Sequence, residues 1–313
     1  MGFVLYALFP EIAEGRGSVI DGLEVISNDD FFDFVELTWI DTCSARSRVK
    51  RTLDASRLHV GYGAQPVIFE KKLDLGGNAA ERRRALRELR PGLAQAAELG
   101  AEWFTVTSGP DPGDRGRPAA MAALAEGLEQ MCREASGLGL RVLLELFDRG
   151  MDKRFLVGPS PEAATLASQV RRSQSNFGLI LDHAHIPLTH SRLTDAVDPV
   201  SAYVDVVHLG NCVTRDAGHP LYGDKHPPYG YPGGENDTAQ LAALLGLLRR
   251  NAFLGTGGRR AMSFEIKPPA GWPPRAVLAG AKRTLKAAWR AHIRADLDAS
   301  AGLDIRGGLD QWF

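Results

Sequence analysis

Cysteine is scarce in this sequence, with three residues in a chain of 313. So few cysteines, and an odd number of them, do not build the disulfide framework that is typical of small secreted proteins. The first ten residues, MGFVLYALFP, also lack the basic segment and the cleavage site of a secretory signal peptide. We therefore expect a cytoplasmic protein whose opening residues form a first strand.

An excess of either charge is missing as well, because 37 lysines and arginines nearly balance 38 aspartates and glutamates. A net charge of −1 offers no basic surface to nucleic acid or to an anionic membrane. No apolar run approaches the roughly 20 residues that span a bilayer. We therefore expect neither nucleic acid nor a membrane among the partners.

Short apolar runs alternate with segments of helical periodicity along the whole chain. The runs begin at Phe3, Phe34, Leu58, Trp103, Val142, Leu179, Val206 and Met262. The clearest helical segment spaces apolar residues from Ala85 to Leu99 and stops at Gly100. A strand followed by a helix, repeated eight times, predicts an α/β fold, namely one (β/α)8 TIM barrel as a single domain over residues 1–313.

A doubly wound open sheet is the alternative arrangement of the same elements. That fold usually carries a glycine-rich G-x-G-x-x-G turn after its first strand, where the backbone binds phosphate. The first apolar run of this sequence is followed by no such turn. The barrel is therefore the interpretation that we favour.

One long irregular segment follows the seventh strand. Residues 211–237, NCVTRDAGHPLYGDKHPPYGYPGGEND, show neither helical nor strand periodicity. A loop of this length is usually functional or disordered, and its aromatic and histidine content argues against disorder. We predict that this loop is an active-site lid. His219 and His226 lie within it, where exposure to solvent is the default expectation.

Polar side chains stand at the carboxyl ends of four consecutive strands. They are Glu145, Asp182, His208 and Glu265, one from each of the fifth to eighth strands. All strands of a barrel end at the same rim, so we expect these side chains to converge. Three buried carboxylates together need a cation. The set favours one divalent metal that prefers oxygen ligands, Mn²⁺ first and Mg²⁺ or Co²⁺ as alternatives.

A divalent ion in this position would polarise a carbonyl group and hold neighbouring hydroxyls. Glu145 and Glu265 would then act as acid and base on a bound sugar. Removal of an α proton gives an enediolate, and return of the proton gives an isomer or an epimer. Any one of these residues alone is more often a structural group; the four together indicate a site.

Four stretches resemble the xylose isomerase-like TIM-barrel superfamily of sugar isomerases and epimerases, namely VLLELF, ILDHAH, VVHLGNC and SFEIKP. The ketose 3-epimerase branch is most similar in HLGNCVTRD. The resemblance implies that Glu145, Asp182, His208 and Glu265 bind the metal and that Glu145 and Glu265 transfer protons. It also implies that His185 contacts a substrate hydroxyl. Three more candidates for substrate binding lie at or beyond strand ends: Lys267, Arg215 and Trp39.

Two features depart from the epimerase pattern. Epimerases carry a second glutamate shortly after the first ligand, whereas LFDRGMDKR offers Asp148, Arg149 and Asp152. The loop of residues 211–237 is also longer than a simple epimerase needs. Both features argue against a free ketose as the substrate. In its expanded loop the chain resembles a related branch, the metal-bearing large subunit of the C-glycoside deglycosidases. That resemblance implies a lyase that eliminates the aglycone from a 3-oxo-glycoside beside a small partner subunit.

A non-catalytic barrel subunit of a larger complex is the alternative from another class of function. A degenerate barrel has no reason to keep four converging polar residues, so we favour an enzyme acting on a small sugar or glycoside. Aromatic residues of the loop and the tail, which ends in Trp312 and Phe313, suggest a homo-oligomer.

Overall fold

Parallel strands close into a barrel in sequence order in the computed structural model, which describes residues 1–254 and 260–301. Within these residues the strands are β1 (Gly2–Val4), β2 (Phe34–Leu37), β3 (His59–Gly63), β4 (Trp103–Val106), β5 (Arg141–Glu145), β6 (Phe177–Asp182), β7 (Val204–Leu209) and β8 (Ala261–Phe264). The last strand closes the barrel by pairing with the first, Gly2 opposite Ser263. The predicted (β/α)8 barrel is therefore confirmed.

Helices occupy the connections between the strands. They are α1 (Leu5–Leu8), α2 (Pro10–Ala13), α3 (Val19–Ser27), α4 (Cys43–Ser56), α5 (Gln65–Lys71), α6 (Ala79–Glu98), α7 (Arg117–Ser136), α8 (Ser160–Arg171), α9 (His185–Leu188), α10 (Leu193–Val197), α11 (Thr238–Arg250) and α12 (Pro274–Ala301), with a 3₁₀ turn at Asp198–Val200. The segment predicted from its apolar spacing is α6, which buries Ala85, Leu89 and Leu93. No helix in the described part of the chain is long and apolar enough to cross a membrane.

The first apolar run differs from its prediction. The sequence predicts a strand over FVLYALF, but β1 ends at Val4 and a helical turn follows at Leu5–Leu8. An apolar run cannot be assigned to strand or buried helix by periodicity alone, and leucine and alanine favour helices. The consequence for the site is that Tyr6 turns over the mouth of the barrel instead of continuing along the sheet.

Alternation along the strands builds two layers inside the barrel. The lower layer is a separate apolar cluster of Phe34, Trp103, Leu143, Ile180 and Val206. Residues two positions further along a strand share its inward face and lie one layer higher. The upper layer therefore holds Glu36, Thr105, Glu145, Asp182 and His208. The polar side chains therefore lie directly above an apolar layer, toward the carboxyl ends of the strands.

Residues 210–237, all of which the structure describes, contain no helix or strand between β7 and α11. The loop is held by side-chain hydrogen bonds. Asn211 Oδ1 accepts from the backbone of Asn236, and Asn211 Nδ2 donates to the carbonyl of Pro228. Asn236 Nδ2 in turn donates to the carbonyls of His183 and Gly210. These bonds fasten both ends of the loop to the rim of the barrel.

Candidate metal centre

Donor atoms of Glu145, Asp182, His208 and Glu265 all lie within 4.8 Å of one another. His208 Nδ1 is central, at 2.8 Å from Glu265 Oε2, 3.4 Å from Glu145 Oε1 and 3.8 Å from Asp182 Oδ2. Asp182 and His208 are direct partners in the register of β6 and β7. The structure thus brings together the four residues that were expected to converge.

Unsatisfied atoms mark this cluster as a place for a cation. His208 Nδ1, Asp182 Oδ2 and Glu265 Oε2 are buried and make no hydrogen bond of acceptable geometry. Leaving buried polar atoms without partners is costly, and here three of them face one point. Three carboxylates and one imidazole suit a divalent ion. The cluster can therefore hold a metal.

Glu36 orients His208 from the opposite side. His208 Nε2 donates to Glu36 Oε1 over 3.0 Å, and both side chains are fully buried. In the neutral ring this bond keeps the proton on Nε2, which leaves the Nδ1 lone pair, on the side of the three carboxylates, for a metal. A carboxylate behind a histidine is a common device for holding a metal ligand. No sequence motif assigns Glu36 to the site, although its position two residues after the inward-facing Phe34 predicts the same layer.

Charges in the cluster shift one another's pKa. Burial alone would lower the pKa of His208, but Glu36, Glu145 and Glu265 hold it well above its usual value. Burial raises the pKa of Asp182 to about 6. Burial would also raise the pKa of Glu265, but His226 and His208 hold it below its usual range. Without a metal, therefore, positive charge on the imidazoles balances the carboxylates.

Glu145 is positioned by a second chain of hydrogen bonds. Gln65 Nε2, at the start of α5, donates to Glu145 Oε2 over 2.8 Å. Tyr6 in turn donates from its hydroxyl to Gln65 Oε1 over 3.2 Å. These bonds leave Glu145 Oε1 directed at His208. Gln65 and Tyr6 were missed because neither lies on a recognisable motif and both act through a neighbour.

His185 and His226 lie beside the four-residue cluster. His185 Nε2 is 3.9 Å from Asp182 Oδ2, and His226 Nδ1 is 4.0 Å from the same oxygen. His226 is 2% exposed, so the default expectation of a solvated loop histidine is wrong for this residue. In this buried position its Nε2 lies 2.6 Å from Asp224 Oδ1, two residues earlier in the loop.

The three further substrate-binding candidates lie at different distances from the cluster. Lys267 is half-buried and its positive charge helps to lower the pKa of Glu265, although burial of that carboxyl and the two histidines have larger effects. Arg215 is 80% exposed and pairs with Glu235 at 2.8 Å. Trp39 borders a separate cavity of about 440 Å³, shared with Tyr62. The structure thus brings only Lys267 near the ligand set.

The segment after β5 contains no substitute for the second epimerase glutamate. The buried carboxylate of Asp148 accepts from the backbone amides of Met151, Asp152 and Lys153. Asp152 accepts from the backbone of Asp224, and Arg149 pairs with Glu162. All three side chains are engaged in shaping the loop, so the departure from the epimerase pattern persists in the structure.

Comparisons with known proteins agree with the barrel fold. A family model described as xylose isomerase-like TIM barrel matches residues 21–286. No curated protein matches the sequence. A D-tagatose 3-epimerase-like protein is similar in structure, at a TM-score of 0.70 and 17% identity over 94% of this chain and 98% of that one.

Two other solved structures are similar. The 3-keto-D-glucoside 4-epimerase of E. coli matches at a TM-score of 0.62 and 18% identity, over 85% of this chain and 94% of that one. The IolI protein, solved with a bound zinc atom, matches at a TM-score of 0.68 and 14% identity, over 92% of this chain and 98% of that one. Likeness at such low identity shows the fold alone. The family match spans most of the chain, which therefore belongs to the xylose isomerase-like TIM-barrel family, as the sequence resemblance implied.

Proposed function

We propose that this protein is a divalent-metal-dependent sugar isomerase or epimerase that acts by α-proton transfer through an enediolate. The observation that carries the proposal is the convergence of Glu145, Asp182, His208 and Glu265 on one point, with three buried atoms unsatisfied. Similar structures that are named as epimerases support it. We further propose that the protein works in the cytoplasm.

A bound Mn²⁺, Mg²⁺ or Co²⁺ would polarise the substrate carbonyl and hold its oxygens. Glu145 and Glu265 come from strands on opposite sides of Asp182 and His208 in the barrel order. One carboxylate would remove the α proton and the other would return it on the opposite face. Gln65 restricts Glu145 to one orientation, which favours a productive geometry for proton transfer.

The loop of residues 211–237 is the proposed lid. The ligand side chains are almost inaccessible to solvent, and the most exposed of them, Glu265, is 13% exposed. Asp224 and His226 of the loop are buried against this end of the barrel. Substrate would therefore enter when the loop moves, and its closure would exclude water from the enediolate.

One observation favours the deglycosidase-type lyase as a second candidate. No carboxylate after β5 replaces the second epimerase glutamate, since those of Asp148 and Asp152 bind backbone amides. In addition, Tyr231 packs between His219 and Trp272, with ring centroids 6.0 and 5.9 Å away. The rings are inclined to one another by 86° and 55°, and the exposed face of Trp272 would offer a stacking surface for an aglycone. The same α-proton abstraction would then end in β-elimination.

Isotope exchange tests the proposed function. The protein, loaded with Mn²⁺, is incubated in D₂O with a panel of ketoses and 3-oxo-glycosides, and deuterium at the α carbon is followed by NMR. Exchange lost in Glu145→Gln and Glu265→Gln but kept in the surface variant Glu11→Gln would support it. Isomer or epimer formation would identify the first candidate, and aglycone release the lyase. Absence of exchange with every substrate, despite full metal loading, would contradict both.

Self-association or a small partner subunit is also a proposal. On α12, Trp289, Ile293 and Leu297 recur every four residues and are 36–62% exposed. An apolar stripe of this kind suits contact with another subunit. Light scattering after size-exclusion chromatography would give the oligomeric state. The predicted tail aromatics, Trp312 and Phe313, lie outside the described residues.

A further inference from the structure

We propose that the cavity beside Trp39 is a second small-molecule site, which binds an aromatic ring that carries an ammonium group. The cavity measures about 440 Å³ and lies between α5 and α6, on the outer side of β3 and β4. Pockets for small ligands usually range from about 300 to 1,000 Å³. The proposal does not rest on the proposed function, since the described residues that line this cavity include none of the four proposed metal ligands.

Aromatic rings form the floor and one wall of the cavity. Tyr62 and Phe104 point away from the barrel axis and stack on one another, with ring centroids 5.4 Å apart and planes inclined by 13°. The Tyr62 hydroxyl donates to Gln95 Oε1 over 3.1 Å, which fixes the ring. Trp39 is 36% exposed, and its Nε1 donates to Asp41 Oδ1 over 2.8 Å. The open face of Trp39 can therefore pack on a ligand ring above a rigid aromatic floor.

Helix α6 lacks one backbone hydrogen bond where it borders the cavity. Pro91 lies inside this helix and has no N–H group, so the Arg87 carbonyl is without its usual helical donor. Both residues line the cavity. Gly92 lets the helix approach the floor closely, because a Cβ there would lie 3.2 Å from the Phe104 ring. The wall thus offers a hydrogen-bond acceptor to a donor on the ligand.

Charges at the rim of the cavity favour a cation. The rim carries three carboxylates and two cations: Asp41, Glu70, Glu88, Lys71 and Arg87. Both cations contact the same carboxylate, since Lys71 Nζ and Arg87 Nη2 lie 3.0 and 3.4 Å from the oxygens of Glu88. Neither Asp41 nor Glu70 forms a salt bridge with another described residue. An ammonium group on the ligand would complete this set, and a nearby aromatic ring adds cation–π attraction.

The cavity is distinct from the metal centre, although α5 borders both. Gln65, at the start of this helix, donates to Glu145, whereas Val67 and Glu70 line the cavity. Two faces of one short helix therefore serve two places. A ligand in the cavity would contact α5 from behind and leave the metal centre open to its own substrate. The inference thus assigns Trp39, a candidate for sugar binding from its sequence position, to another ligand.

Three probes with the same ring test the proposal: tyramine, which is a cation, 4-ethylphenol, which is neutral, and 3-(4-hydroxyphenyl)propionate, which is an anion. Calorimetric titration and saturation-transfer NMR measure their binding to the full chain. We expect tyramine to bind with a stoichiometry of one and about fivefold more tightly than 4-ethylphenol, with the propionate weakest. Glu70→Gln should reduce this preference, whereas Glu11→Gln, at another exposed position, should keep it.

A cavity-filling variant tests the location of the site. Val67→Trp places a large side chain in the cavity and should abolish the binding of tyramine. The matched control is Ala123→Trp, which places the same side chain in another surface cavity, of about 450 Å³, and should leave binding unchanged. Circular dichroism reports whether each variant is folded. Glu70 is exposed, so Glu70→Gln keeps the test decisive if Val67→Trp does not fold.

Three results would overturn the second site. They are a wild type that does not bind tyramine, an affinity for 4-ethylphenol or the propionate that equals or exceeds that for tyramine, and tyramine binding that persists in folded Val67→Trp. None of these measurements depends on turnover or on a bound metal. Their failure would leave the proposed function standing, because deuterium exchange tests that function separately.

Discussion

Glu36 Oε1 accepts a hydrogen bond from His208 Nε2 over 3.0 Å, which joins β2 to β7 across the interior of the barrel. The two residues are 172 positions apart in the chain. Their contact exists only because the barrel closes and both side chains lie in the same inward layer. It decides which nitrogen of His208 faces Glu145, Asp182 and Glu265, and therefore whether the cluster can bind a metal.

Glu36→Gln should weaken metal binding. A glutamine amide can present its NH₂ group to His208 Nε2, which would favour the proton on Nδ1, where the ligand lone pair is needed. Loss of such a supporting carboxylate typically costs about 10–100-fold in metal affinity. Calorimetric titration with Mn²⁺ measures the effect. Glu11→Gln, at the surface, is the control, and equal affinity in both variants would show that Glu36 is a structural carboxylate only.

Metal binding should become tighter as the pH rises. The pKa of His208 lies well above its usual value in the metal-free protein, because Glu36, Glu145 and Glu265 outweigh the effect of burial. The ring therefore holds an extra proton near neutral pH, which a metal must displace. Calorimetry at pH 6, 7 and 8, in buffers of different ionisation enthalpy, measures affinity and proton release together. An affinity that does not vary with pH would contradict the assignment of His208 as a ligand.

The same shift sets the pH dependence of stability in the metal-free protein. A histidine whose pKa is raised on folding stabilises the fold below its unfolded value of about 6.5, and this contribution is lost as the pH rises through the folded pKa. Metal replaces the lost positive charge. The increase in Tm on adding Mn²⁺ should therefore be larger at pH 8.5 than at pH 6, as thermal unfolding would show. A larger increase in Tm at pH 6 than at pH 8.5 would contradict a raised pKa of His208 in the folded protein.

Gln65→Leu should slow the proposed proton transfer while leaving the fold intact. It removes the donor to Glu145 Oε2, so the carboxylate would sample other orientations. We expect kcat to fall by about 10-fold or more, as for other supporting residues. Tyr6→Phe removes only the bond to Gln65 and should have a smaller effect. The measurement is α-proton exchange on a substrate that the deuterium-exchange screen identifies; a change confined to KM would argue for a role in binding.

Only one of the three thiols should react in the native protein. Cys43 is exposed, whereas Cys132 and Cys212 are buried. Burial raises the pKa of Cys132 to about 12 and that of Cys212 further still, so neither forms the reactive thiolate at pH 8. Ellman's reagent should titrate about one thiol before denaturation and three after it. Cys43→Ser should abolish the native reaction, and a remaining fast thiol would show that a buried site opens readily.

The fold and the four clustered residues could be predicted because they depend on local periodicity. Leu143 and Glu145, Ile180 and Asp182, and Val206 and His208 each follow the two-residue alternation of a strand. A polar residue at the inward position after an apolar one therefore had a predictable place. Glu36 follows the same rule after Phe34, so it was predictable in position although not in its role.

The burial of Asp224 and His226 beside this cluster could not be predicted in this way. His226 and Asp224 lie in a loop, where no period relates one residue to the next. Their burial depends on Gly210, Lys153 and the end of β6, which come from separate parts of the chain. Composition alone indicated a loop that solvent would reach.

The amino-acid sequence by itself determined the alternation of strands and helices, and with it the barrel and the ring of ligands at its rim. Hydrophobic periodicity carries that information, since each strand must bury its apolar face. The tertiary structure alone decided which nitrogen of each histidine faces the carboxylates, where Tyr6 and Gln65 meet Glu145, and how the long loop closes on Asp182. Those relationships join residues far apart in sequence, and they arise only when barrel closure brings the donors and acceptors within hydrogen-bonding distance.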